Sequence, residues 1–138
     1  QVRLPPTCCS FLVAALRMQS GSPMTITLYH GTSMSAAQSI RCSGFRASTE
    51  GSVGPGVYFV DVGNLEYASF VARGRDPLAP ALVECTVSIQ RPLFTGNCTT
   101  QWREQGYDAI CWGTGSASCW CVKSPDMIRS VIIGSVQG

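Results

Sequence analysis

At 138 residues the chain is the size of one domain, long enough to bury a core without disulfide staples. Apolar residues make up 45% and charged residues 13%, against about 25% charged in an average domain, so its surface carries few ions. A net charge of +2 gives no strong nucleic-acid or membrane signal. In chain order, residues 1–23 read as an N-terminal helical extension. Its helix, over 7–19, starts after Pro5-Pro6 with Thr7 as N-cap and ends near Ser20-Gly21-Ser22-Pro23, the one linker-like stretch. The apolar run Cys8 to Met18 is 11 residues long, short of the roughly 18 that a membrane span needs. Prolines rather than basic residues lead into it, unlike a signal-peptide core. With Gln at position 1, a processed chain or a domain of a longer one is expected.

A strand over 24–29 then delivers His30, the single histidine, into a turn opened by Gly31. A short helix over 35–42 is stopped by Ser43-Gly44, and Gly54-Pro55-Gly56 feeds a strand over 57–60. A helix over 65–73 follows, then strands near 81–89, 108–112, 120–122 and 129–133. Many short strands, helices inserted early and no repeating βαβ unit predict an α+β fold rather than a doubly wound sheet. No Gly-x-Gly-x-x-Gly opens a helix, so a dinucleotide would not be held in the Rossmann manner.

The eight cysteines are an even number, which invites a disulfide framework, but their placement argues against one. Cys85, Cys111 and Cys121 fall in core-like strands, where a free thiol behaves as a small hydrophobe. Cys8, Cys9, Cys42, Cys98 and Cys119 are not assigned by pattern. One histidine and no Cys-x-x-Cys pair predict no metal site. Asn97-Cys98-Thr99 fits a glycosylation sequon that matters only in a secreted protein, and the cysteine pattern favours an intracellular one. Nine arginines accompany a single lysine, Lys123. Genome composition accounts for that, as does avoidance of lysine-directed modification in a foreign cell.

A lone His and a Tyr, each at a strand edge beside Gly, form a slot with one aromatic wall. Flat amide-bearing rings bind in such slots, stacked on the ring while backbone bared at glycine reads the amide. The residues that build it carry a family pattern: Tyr29-His30-Gly31-Thr32, then Ala37-x-x-Ile40-x-x-x-Gly44-Phe45, then Gly54-x-Gly56-Val57-Tyr58-Phe59. Further on come Trp102-x-x-x-Gly106-Tyr107-Asp108 and Cys121-Val122-x-x-Pro125-x-x-Ile128. These elements in this order resemble the ADP-ribosyltransferases of the diphtheria-toxin and poly(ADP-ribose) polymerase branch, known by its His-Tyr-Glu signature. The resemblance spans residues 25–133 and makes 24–138 the catalytic domain.

What the resemblance implies is specific. The fold would be a split β-sandwich with NAD, as co-substrate and without a metal, in the cleft between two small sheets. His30 would bond the adenosine ribose hydroxyls, Gly31 and Thr32 would border the ligand, with Gly31 offering backbone groups to the nicotinamide amide, and Tyr58 would stack on the nicotinamide. A second aromatic from the following helix usually covers that ring. The family spacing falls on Ser69, and of its neighbours Phe70 is the favoured lid, with Tyr67 the alternative. The catalytic glutamate's position holds Cys119, and no carboxylate lies between Asp108 and Asp126. Chain elongation is therefore not expected, and Glu104 and Asp108 are candidate substitute acids. The expected function is mono-ADP-ribosyl transfer from NAD to a macromolecule, protein rather than nucleic acid, or to water, by a monomer without membrane attachment. The alternative is an inactive module that binds NAD-like ligands or a partner. RNA 2′-phosphotransferase relatives share an early His but need further basic residues that find no place here.

Overall fold

The computed structural model describes residues 22–114 and 117–136, so the helix expected over 7–19 lies outside the described residues. Among them the order is β1 (Met24–Ser33), α1 (Met34–Ser43), β2 (Val57–Val60), α2 (Leu65–Arg75), β3 (Pro80–Ile89), β4 (Pro92–Thr95), β5 (Ala109–Thr114), β6 (Ala117–Val122) and β7 (Ile128–Ser135). The fold is α+β, as expected, with a mixed sheet in the order β4-β5-β6-β2-β1-β3-β7. Only the β4–β5 pair is parallel. No described helix is long and apolar enough to cross a membrane.

The strands form where the sequence alternates. In β3, Ala81, Val83, Cys85, Val87 and Ile89 are buried and their neighbours are half-buried, the period-2 signature of a pleated strand. Ten consecutive register pairs, Met24↔Ile89 to Ser33↔Pro80, tie β1 to β3. The join to the other half of the sheet is far slighter. β1 and β2 share a single pair, Tyr29↔Val60. The halves β7-β3-β1 and β2-β6-β5-β4 thus meet at a seam, and the chain's chemistry gathers there.

Both faces of the sheet are covered. One carries the main core, with Leu28, Phe59, Val83, Val87, Ile89 and Trp120 buried and α1 contributing Ala37. The other carries Val53, Trp102, Ile110 and Cys121, with Tyr58 and Trp112 packed against them. Trp102 satisfies its indole by donating Nε1–H to the Val53 carbonyl at 2.8 Å.

The structure corrects two expectations about elements. β1 does not end at Tyr29 but runs through His30-Gly31-Thr32 to Ser33, because β3 pairs with it throughout. Ser33 then caps α1, accepting the Ala36 N–H at 3.1 Å, and Gly44 ends that helix at φ +84°. β4 has no counterpart in the sequence reading. It is four residues long, begins with proline, and takes a parallel partner, three features that blur a strand signal. Cys42, Cys85, Cys98, Cys111, Cys119 and Cys121 are free thiols.

Candidate functional site

Two cavities of about 760 and 310 Å³ open at the seam and share His30, Ser52, Tyr58 and Arg75 as wall residues. The floor of the smaller is one cross-strand row. Tyr29 pairs with Val60, Val60 with Cys119, and Cys119 with Trp112, and all four line it. Side chains opposite one another in a pleated sheet share a face, so this register alone assembles the floor from four strands. α2 covers the row and contributes Tyr67, Ala68, Val71 and Arg75 to the lining.

α2 comes this close because Gly31 has no side chain. A Cβ there would lie 1.9 Å from the Ala68 carbonyl oxygen. Gly31 lines the smaller cavity, but this packing constraint already accounts for the residue.

His30 is fixed by its Nδ1, 2.9 Å from the Tyr58 carbonyl oxygen. A carbonyl only accepts, so Nδ1 carries the hydrogen and Nε2 is left as an acceptor. Phe45 and Phe59 stand edge-on to the ring, with centroids 5.4 and 6.2 Å away. Burial among them pushes the imidazole below its usual 6.5; the Arg75 charge adds to this and the Tyr58 carbonyl opposes it. The ring is therefore neutral at pH 7. Of the donor and acceptor expected for a ribose diol, only the acceptor remains.

A pH dependence follows. Above 6.5 the imidazole is neutral in both folded and unfolded chains, and its ionisation leaves stability unchanged. Below 6.5 the unfolded chain binds a proton that the folded imidazole resists, so stability falls with pH until the lower native value is passed. In urea unfolding at pH 8 and pH 5, the wild type should lose more stability than His30→Asn. An equal loss in the two proteins would show that the folded and unfolded imidazoles titrate alike.

Tyr58 is held by its hydroxyl, which accepts the Val53 N–H at 3.1 Å and donates to the Gly54 carbonyl. Trp112 stands edge-on at 5.9 Å and 84°, which buttresses the ring from one side. Gly51 leaves it room, since a Cβ there would lie 2.3 Å from the hydroxyl.

Cys119 lines the same cavity as His30 and Tyr58, with the Asn64 amide donating to its Sγ at 3.7 Å. Burial raises its thiol above the usual 9.0, and the Asp61 charge adds to the effect, so the sulfur is neutral. Of the residues proposed for the helix, Tyr67 borders the smaller cavity, while Phe70 is 71% exposed and lines neither. Geometry therefore favours Tyr67 over Phe70 as the covering aromatic. Ser69 and the buried Thr32 line neither cavity. The substitute acids also stand elsewhere. Asp108 accepts the backbone N–H groups of Gln90 and Arg91 at 2.8 Å each, and Glu104 sits in an exposed turn.

The sequence reading missed Tyr29, Trp112 and Arg75. Tyr67, Val71 and Arg75 recur every fourth residue, a one-face stripe that could have been found from spacing. Trp112 required the β5–β6 register. Among the described residues no group of three or more His, Cys, Asp or Glu side chains is placed to hold a metal. No family model matches the chain, and no curated protein is similar to it.

Proposed function

We propose that the chain is a mono-ADP-ribosyltransferase of the His-Tyr-Glu branch with its glutamate replaced, using NAD and releasing nicotinamide. The observation that carries this reading is the convergence of His30, Tyr58 and Cys119 on one cavity, the signature positions of the resemblance. The seam at Tyr29–Val60 supports the split-sandwich form of the fold. The cavities fall in the roughly 300–1,000 Å³ range of small-molecule sites.

In this reading the nicotinamide stacks on Tyr58 with Tyr67 at its open side. A ribose hydroxyl donates to His30 Nε2, and Arg75 offers a cation to the pyrophosphate. The N-glycosidic bond breaks, nicotinamide leaves with the bonding electrons, and an acceptor oxygen bonds to the anomeric carbon. The neutral thiol at 119 gives little help to the positive charge growing there. Turnover is slow, and single units rather than chains are transferred to a macromolecule or to water. That same thiol is the observation favouring the second reading, a non-catalytic NAD-binding module.

Two measurements test the proposal. Incubation with labelled NAD should release nicotinamide slowly and leave single ADP-ribose units on acceptors. Benzamide should raise the melting temperature by binding the native state alone, and Tyr58→Ala should abolish the shift. A full shift in Tyr58→Ala would move the ligand to another site. A shift without nicotinamide release would favour the non-catalytic module.

A further inference from the structure

The base that Cys119 cannot provide has a counterpart two strands away along the same floor row. Tyr29, on the floor of the smaller cavity, donates its hydroxyl hydrogen to Glu84 Oε1 at 3.1 Å. The contact is built into the sheet, because Tyr29 and Glu84 are direct register partners of β1 and β3 and so share the floor's face. Other ionisable groups around this cavity suit the task less well. The acceptor Nε2 of His30 is taken by the ribose hydroxyl in the proposed binding mode, Cys119 is a neutral thiol, and Arg75 is a cation. Glu50 belongs to the wall of the larger cavity.

We infer that Tyr29, backed by Glu84, takes the proton from an incoming hydroxyl, which makes hydroxyl groups and water the acceptor class. This rests on the ADP-ribosyl-transfer reading. The acceptor oxygen bonds to the anomeric carbon as the glycosidic bond breaks and neutral nicotinamide departs. The acceptor's proton moves to the Tyr29 oxygen while the tyrosine's own proton moves to Glu84, so charge balances without a further reactant. A carboxylate acceptor has no proton to give and is repelled by Glu84. Tyr29 touches the reacting groups; Glu84 is a positioning residue that acts through it.

The test uses NAD hydrolysis by wild type, Glu84→Gln and Tyr29→Phe, with azide as an acceptor that carries no proton. General bases contribute roughly 10²–10⁴-fold. Both variants should lose about 10²-fold in kcat, keep KM for NAD within about twofold, and recover when azide replaces water. Glutamine still accepts the Tyr29 hydrogen bond, so the strand pairing survives in Glu84→Gln. Label on protein should resist neutral hydroxylamine, which cleaves carboxylate esters. An unchanged rate in Glu84→Gln, failure of azide rescue, or a hydroxylamine-labile adduct overturns the base. If wild type neither releases nicotinamide nor shifts in melting with benzamide, the NAD reading falls and the base falls with it. A normal benzamide shift with an unaltered Glu84→Gln rate removes the base alone.

Discussion

Gly31→Ala is expected to lower the melting temperature by roughly 10 °C, because the added methyl group would meet helix backbone rather than a side chain that can move. The added Cβ would sit 1.9 Å from the Ala68 carbonyl oxygen and 3.2 Å from the Ala72 nitrogen. Both are backbone atoms of α2, so no rotamer change relieves the clash and the helix must lift as a unit. Overpacking of this kind costs about 3 kcal/mol. The alternative, moving β1, would break its ten-pair ladder with β3. Lifting α2 also displaces Tyr67, Val71 and Arg75 from the smaller cavity, so the benzamide shift should vanish with the stability. Gly74→Ala is the matched control. It lies near the end of the same helix with nothing within 4 Å of its missing Cβ, and should stabilise by about 0.5–1 kcal/mol. A thermal scan in which the two substitutions behave alike would show that α2 is not seated on Gly31.

These two glycines also mark how far the sequence could be read. Element type followed from local pattern: the alternation of β3 and the apolar run of β2 place both strands within a residue or so of their ends. His30 and Tyr58 were legible as a pair because each lies within two residues of a glycine in a recognisable pattern. That they border one cavity depends on β1 and β2 meeting at Tyr29 and Val60, a long-range fact with no local signal. The Gly31 turn was misread for the same reason. Locally His-Gly-Thr looks like a turn, yet pairing with β3 keeps it extended. Phe70 was favoured over Tyr67 on spacing from Tyr58, while α2's face is set by Ala68 and Ala72 packing inward. Glu84 went unnoticed because a charge on the half-buried face of an alternating strand looks like a solvated residue until its register partner is known.

Cys119→Glu is the change expected to raise activity most. The residue sits in the floor row between Val60 and Trp112, in the cavity lined by Tyr58 and His30. In the proposed transfer, a carboxylate there would place a full negative charge at the wall where the resemblance sets the family's acid, facing the positive charge that would grow as nicotinamide departs. Only interactions stronger in the transition state than in the ground state accelerate the step, and this one meets that condition. The Asn64 amide that now donates to the sulfur at 3.7 Å could donate to the new carboxylate and orient it. Asp61 opposes the gain, since its charge already disfavours ionisation of the thiol at 119. A tenfold rise in nicotinamide release, about 1.4 kcal/mol of added transition-state stabilisation, is therefore expected rather than full recovery. Cys119→Gln supplies nearly the same shape without charge and should leave the rate unchanged. Equal rates in the Glu and Gln variants would show that no positive charge develops opposite position 119. If wild type, Glu and Gln variants all bind benzamide yet release no nicotinamide, the cavity binds the ligand without performing the chemistry.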